Sequence, residues 1–323
     1  MIQHNLNANL TIIDANINRV AEGLRVIEDF CRFRFKNREW SKTLSNMRQT
    51  VNLSETNPLA NLSVRNTESD MRAREIPRSR INVVDVLKAN FKRVEEGLRV
   101  LEEVSDRPCY TQLRYDAYDL EKDIILHESK TGIKPGVYII SDDPDVLIEA
   151  LSWDASIIQL RNKDKNVHKS VLLNQSMLLS KKAKEAGVPF VVNDYIDIAL
   201  LVDADGFHTG QDDLPVSEIR KILGDHKLIG RTTHSFEQGE QAVAEGADYV
   251  SVGPVWETPS KPGRDGIGFD YLKQAHKLSV PFVAIGGVNN SNVDEVLAYS
   301  PKWVGIIRDY KMGAVIQKKL RTE

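Results

Sequence analysis

At 323 residues the chain exceeds the size that one hydrophobic core usually serves, so length favours two domains. With 41% hydrophobic and 28% charged residues it has the composition of a globular protein, and a formal net charge of −3 offers no field for nucleic acid. Two cysteines without ligand spacing, an N-terminus unlike a signal peptide and no run near 18 apolar residues point to a cytoplasmic protein with no membrane partner.

The first part of the chain reads as helical. Ile13, Ile17, Val20, Leu24 and Ile27 recur at the three-and-four spacing of one apolar helix stripe, with Asp14 expected as a cap near its start. The segment 14–28, DANINRVAEGLRVIE, then repeats without gaps as 88–102, KANFKRVEEGLRVLE, with ten of fifteen positions identical. Asn16/Asn90, Arg19/Arg93, Gly23/Gly97, Arg25/Arg99 and Glu28/Glu102 are among the shared pairs, which argues for a duplicated helical unit. Between the copies, 63–80 is polar and aperiodic and reads as a loop, and a further amphipathic helix is expected near Leu113–Leu126.

The character changes at KTGIKPG (130–136), so the expected domains are 1–131, all-α, and 134–323. Eight short apolar runs follow: 136–141, 156–162, 189–194, 206–210, 228–234, 249–255, 281–287 and 303–309. They are nearly continuous in apolar character, as parallel strands covered on both faces are, and helical segments such as Lys169–Ala186 and Val216–Leu223 separate most of them. The expected fold is α/β, a (β/α)8 TIM barrel preceded by the all-α repeat domain. An open doubly wound sheet is the competing arrangement, and the absence of GxGxxG disfavours it.

A barrel of this kind carries its active site where strands end and loops begin, and polar residues gather there. Strand two ends in Gln159, Arg161 and Lys163; two cations at i and i+2 suit a phosphate-rich anion, or form a surface ion pair. Strand three ends in Asn193 and Asp194, and the loop after strand four carries Asp212 and Asp213. Carboxylates on adjacent strand ends suit Mg²⁺, which takes oxygen ligands; alternatively this loop's aspartates merely start the following helix. Thr232 offers a hydroxyl after strand five, where His234 is as well a structural histidine. Thr258, Pro259, Ser260 and Lys261 follow strand six, either as a mobile anion-binding loop or as a solvated one. Gly286 and Gly287 end strand seven, where barrels place backbone N–H groups on phosphate, or where a tight turn needs positive φ.

Together QLRNK (159–163), VVND (191–194), ADGFHTGQDDLP (204–215), IGRTTHS (229–235), GADYVSVGPVWETPSK (246–261) and VAIGGVNNSN (283–292) resemble the thiamin phosphate synthase family across 136–310. The resemblance implies a transferase that joins a pyrimidine diphosphate to a thiazole phosphate by dissociative loss of pyrophosphate. It implies that Gln159, Arg161, Lys163, Asn193 and Lys261 hold the diphosphate substrate, that Asp194 and Asp213 bind Mg²⁺, and that Arg161, Lys163 and Lys261 assist catalysis. Thr258, Pro259 and Ser260 would meet the thiazole, Gly286 or Gly287 its phosphate, and Thr232 stands at the family's strand-five serine. Two departures stand out: Tyr195 replaces an arginine, and Ile307 and Arg308 replace a Ser-containing strand end that grips the thiazole phosphate. The N-terminal part, through 14–33, VRNTESD (64–70) and 88–103, is similar to an alternative hydroxymethylpyrimidine phosphate kinase, which adds ATP as a candidate substrate. A catalytically degenerate sensor or scaffold for thiamin phosphates, a regulator acting through the helical domain, and assembly into a homo-oligomer all remain open at this point.

Overall fold

The structure, a computed structural model, describes residues 2–54, 80, 82–105, 107–258 and 265–322. The chain divides into two compact units between Thr131 and Gly132.

The N-terminal unit is built from α1 (Ile2–Asp29), a π-helical turn (Phe30–Arg34), α2 (Arg38–Leu53), α3 (Val83–Val104) and α4 (Pro108–Thr131). Asp14 does not cap α1. The helix begins at Ile2 because no glycine or proline between 2 and 13 stops it, and Asp14 is buried mid-helix, accepting from Asn18 Nδ2 at 3.2 Å. Helix α2 is an element the sequence reading left unassigned; Asn37 Oδ1 caps it from Glu39 N (3.1 Å) and Trp40 N (3.0 Å), and Leu44, Met47 and Val51 bury its one apolar stripe. Most of the polar stretch read as a loop, 63–79, lies outside the described residues, as does VRNTESD (64–70).

The repeated unit proves to be a helical hairpin. Glu28 on α1 accepts from Arg48 on α2 (Nε, 3.2 Å), and its counterpart Glu102 on α3 accepts from Arg114 on α4 (Nε, 2.9 Å). The two copies pack through α1 and α3 at their matched glycines. A Cβ on Gly23 would lie 2.8 Å from Val94 Cγ2, and one on Gly97 would lie 2.7 Å from Val20 Cγ2. Only glycine allows this reciprocal approach.

The C-terminal unit is a closed barrel of eight parallel strands in sequence order: β1 (Gly136–Ser141), β2 (Ile157–Leu160), β3 (Phe190–Asn193), β4 (Gly206–Thr209), β5 (Leu228–Thr233), β6 (Tyr249–Val252), β7 (Phe282–Ile285) and β8 (Trp303–Ile306). β8 returns to pair with β1, with Ile139 opposite Ile306. Around it stand α5 (Pro144–Ser152), α6 (Lys169–Ala186), α7 (Ile196–Leu201), α8 (Val216–Leu223), α9 (Phe236–Ala244), α10 (Leu272–Ala275), α11 (Val293–Leu297) and α12 (Tyr310–Thr322).

Strand alternation sorts the side chains into two buried clusters. Val137, Ile139, Ile158, Phe190, Val192, Ile229, Val250, Ala284 and Val304 face outward into the helix layer. Tyr138, Ile140, Ile157, Val191, Leu228, Tyr249, Val283 and Trp303 fill the inside. The barrel is therefore a packed core, and its open end is the rim where the strands finish. Among the described residues no helix is long and apolar enough to cross a membrane.

Candidate active site at the carboxyl-terminal rim

The strand ends line one open cavity at the rim of the barrel. Its lining includes Gln159, Arg161 and Lys163 from the end of β2, Asn193 and Asp194 from β3, and Thr232, Thr258 and Gly286. Seven rim positions singled out in the sequence thus line one cavity together with Gly286.

Each is held by its strand. Arg161 N donates to Ser141 O at 2.8 Å, which fixes the turn after β2. Burial lowers the Arg161 pKa below its ordinary value, while Asp194 and Asp142 act in the opposite direction. Lys163 Nζ pairs with Asp194 Oδ2. Asp194 adopts φ +63°, a left-handed conformation that aspartate tolerates better than most residues and that is enriched at functional sites. Asn193 is 4% exposed, and its Nδ2 is buried with no hydrogen-bond partner. A buried donor left unmatched on a residue that lines the same cavity as Arg161 calls for an acceptor, which a ligand could supply.

Asp213 does not line the cavity directly. Its Oδ2 accepts from Gly210 N at 2.8 Å, and Gly210 does line it. This loop is tied down by Arg231, whose Nη1 donates to Leu214 O (2.8 Å) and whose Nη2 donates to Gln211 O (3.3 Å). Among the described residues no three His, Cys, Asp or Glu side chains form a ready-made metal cage. Asp194 at the cavity and Asp213 beside Gly210, which lines it, are nonetheless oxygen donors of the kind that fit Mg²⁺, which keeps waters and takes further oxygen ligands.

A second cavity adjoins the first and shares Thr258, Gly286 and Ile307 with it; Gly287, Val288, Gly305 and Arg308 also line it. Gly286 and Gly287 have φ +97° and +73°, and a Cβ on Gly286 would meet Pro254 Cα at 2.4 Å, so both conformation and space require glycine. Ile307 and Arg308 thus border the same space as these glycines. Tyr195 lines neither cavity; its ring packs on the outer core and takes the Lys169 ammonium at 5.7 Å from its centroid. His234 is structural, with Nδ1 on Gly253 O. Pro259, Ser260 and Lys261 lie outside the described residues.

Three positions that shape this rim escaped the sequence reading. His208 and Ser251 line the first cavity from inward positions of β4 and β6, and Arg231 anchors the aspartate loop. The available signal was a polar residue interrupting an apolar strand.

In the N-terminal unit, Asn16 Nδ2 and Asn90 Nδ2 donate to the carbonyls of Ile12 and Val86, both at 2.8 Å on their own helices. Arg25 pairs with Asp29 (3.4 Å) and Arg99 with Glu102 (3.0 Å). Arg19 Nη1 donates to Asn16 Oδ1 at 3.4 Å, so five of the six residues in the pairs Asn16/Asn90, Arg19/Arg93 and Arg25/Arg99 are engaged within the helices themselves.

Residues 136–309 match the family model described as thiamine monophosphate synthase, and residues 11–123 match one described as the ThiD2 family. The chain is 36% identical over 313 residues to the thiamine-phosphate synthase of Nostoc punctiforme, covering 92% of this chain and 88% of that protein. It is 38% identical over 317 residues to the protein of that name from Thermosynechococcus vestitus, covering 92% and 89%. Among solved structures it is similar to thiamine phosphate pyrophosphorylase from Pyrococcus furiosus, with a TM-score of 0.54 and 30% identity over 59% of this chain and 97% of that one.

Proposed function

The chain belongs to the thiamine monophosphate synthase family, and from that premise we propose that residues 134–323 join a pyrimidinylmethyl diphosphate to a thiazole phosphate, giving thiamin phosphate and pyrophosphate. The observation that carries the reading is that Asn193, whose Nδ2 is buried and unmatched, lines one cavity together with Arg161 and Lys163. These donors hold the diphosphate. As the bond from the methylene carbon to the diphosphate oxygen breaks, Arg161 and Lys163 offset the charge gathering on the leaving group, with Lys261 assigned the same task. The amino-pyrimidine ring stabilises the methylene cation, and the thiazole nitrogen attacks it to form the new C–N bond. No proton must move in this exchange, which accounts for a site built for positioning and charge neutralisation.

The thiazole partner is assigned to the second cavity. Its phosphate would lie against Gly286, Gly287, Ile307 and Arg308, and Thr258, Pro259 and Ser260 would meet the ring. Asp194 and Asp213 would hold Mg²⁺, whose bound charge would help neutralise the diphosphate. Incubating the full chain with Mg²⁺ and both substrates should release pyrophosphate and thiamin phosphate. Tight thiamin phosphate binding without turnover at high enzyme concentration would instead support a sensor.

The match of residues 11–123 favours a second activity, phosphorylation of the pyrimidine phosphate by residues 1–131. Arg19, held by Asn16 Oδ1 at 3.4 Å, and Arg93 are the paired cations assigned to phosphate there. ADP formation from ATP and the pyrimidine phosphate, measured on the full chain, tests it. Both cysteines are unpaired, which supports a reducing compartment and hence the cytoplasm.

A further inference from the structure

Inside the barrel, beneath the first cavity, runs a chain of side-chain hydrogen bonds that the proposed chemistry does not use. Gln159 Nε2 donates to Tyr138 OH at 2.6 Å. Tyr138 OH lies 2.8 Å from Tyr249 OH, Tyr249 OH lies 3.0 Å from His208 Nδ1, and His208 Nε2 lies 3.0 Å from Thr232 Oγ1. Gln159, His208 and Thr232 line the cavity, whereas Tyr138 and Tyr249 are fully buried. The chain thus leaves the cavity at one point and returns to it at another.

Its direction follows from one end. An amide nitrogen only donates, so Tyr138 accepts from Gln159 and passes its own proton to Tyr249. Tyr249 then donates to His208 Nδ1, which makes Nδ1 an acceptor and puts the ring proton on Nε2. Nε2–H donates to Thr232 Oγ1; Ser251 Oγ, at 3.4 Å, is the poorer acceptor. Thr232 therefore accepts from below and has its hydroxyl proton left for the cavity. At the other end, the Gln159 amide donates inward and presents its carbonyl oxygen. Burial raises the pKa of both tyrosines above the ordinary phenol value, so each keeps the proton that the chain requires.

Space for the chain is set by Gly230. A Cβ there would sit 2.0 Å from Tyr249 Cζ, so only glycine at this position lets the Tyr249 ring cross the barrel. The ring also packs against Trp303, at 5.8 Å between centroids.

We propose that Tyr138, Tyr249 and His208 are positioning residues that polarise the cavity, holding His208 as the Nε2–H tautomer so that Gln159 offers an acceptor and Thr232 a donor to one heteroaromatic ring. This deepens the reading of the first cavity as the pyrimidine site and rests on it. An aminopyrimidine carries the complement, an exocyclic N–H₂ donor beside a ring-nitrogen acceptor. The corresponding oxo-pyrimidine, with a carbonyl beside a ring N–H, carries the inverse pattern and is disfavoured, because its carbonyl would face the Gln159 carbonyl and its ring N–H would leave the Thr232 hydroxyl proton without an acceptor.

Two measurements on the full chain test this. Nitrogen-15 NMR of histidine-labelled protein should show His208 as the Nε2–H tautomer, whether or not the protein turns over; an Nδ1–H tautomer overturns the proposal and leaves the synthase reading standing. Steady-state kinetics then compare the amino substrate with its oxo analogue. Tyr249→Phe keeps the ring but removes the donor to Nδ1, and the amino-over-oxo preference in kcat/KM should fall by about tenfold or more, with a mixture of His208 tautomers in the spectrum. Tyr138→Phe keeps the Tyr249–His208 bond, so the tautomer should persist while the Gln159 amide loses its inward partner and the KM for the amino substrate rises. An unchanged preference in Tyr249→Phe, with the fold intact by melting, sinks the assignment. Complete inactivity of the wild-type chain on the amino substrate sinks the synthase reading instead.

Discussion

Asp213 accepts the backbone N–H of Gly210 at 2.8 Å, so one of its carboxylate oxygens shapes the loop while the charge of the group remains near the cavity that Gly210 lines. Asp213→Asn separates these two roles, since an amide oxygen can still accept from Gly210. The melting temperature should therefore stay within a degree or two, whereas kcat/KM at low Mg²⁺ should fall by about 10²-fold and recover in part with excess metal. A Mg²⁺ titration of the variant against the parent gives both numbers. An unaltered rate would remove Asp213 from the metal site.

Arg308 borders the cavity that Gly286 and Gly287 also line, at a place where charge would replace hydroxyl and backbone hydrogen bonds on a phosphate. A hydrogen bond to a charged group is worth about 1.5–3 kcal/mol, so Arg308→Ser should raise the KM for thiazole phosphate by roughly 10–100-fold. Turnover at saturation should barely change, because the contact serves ground and transition states alike. If Arg308 instead obstructs the cavity, the same substitution lowers KM. Initial rates across a thiazole phosphate series separate the two.

The barrel was legible because its strands are buried on both faces and read as apolar runs, and because the rim residues follow those runs directly. What stayed hidden depends on closure. That Tyr249 meets His208 and Tyr138 follows from an inward register shared around the ring, and from Gly230 having no side chain, and neither shows in a single strand. Arg231 looked like part of a motif, yet its guanidinium holds Leu214 and Gln211 in the preceding loop, after β4. In the N-terminal unit, α2 has only three buried apolar positions in a polar segment, too thin a stripe to stand out. Asp14 has the chemistry of a cap, but capping depends on where the helix begins, and nothing local stops this one before Ile2.

The reciprocal glycine contact between α1 and α3 makes the helical repeat sensitive to single methyl groups. Gly23→Ala gains about 1 kcal/mol of helix propensity, but its Cβ would fall 2.8 Å from Val94 Cγ2 and 3.0 Å from Asn90 O. Overpacking of a buried contact costs about 1–3 kcal/mol, so the net change should be destabilising, with a drop of several degrees in the melting of the N-terminal unit. Val94→Ala in the same background removes the clashing methyl, and a double-mutant cycle should show favourable coupling between the two sites. Strict additivity would mean that the helices shift apart freely and that the close crossing is not required.

The repeat is broken at one position with a consequence for pH. Where the first copy has Ala21, the second has Glu95, 6% exposed, with an Oε1 that has no hydrogen-bond partner. Burial and the neighbouring Glu121 on α4 push its pKa up to about 7; Glu96 adds to the rise and Lys92 opposes it. The folded state thus binds this proton more tightly than the unfolded chain does. Its contribution is complete below the ordinary glutamate pKa and is lost as the pH climbs through about 7. Calorimetric melts of the full chain should therefore show the N-terminal transition falling between pH 5 and pH 8. Glu95→Gln, neutral and nearly isosteric, should flatten that slope, raising the transition by roughly 4 °C at pH 8 while leaving it close to the parent at pH 5. An equal loss at both pH values would show that the carboxylate is matched by a cation in solution, and that the shape of the side chain, not its proton, is what the bundle needs.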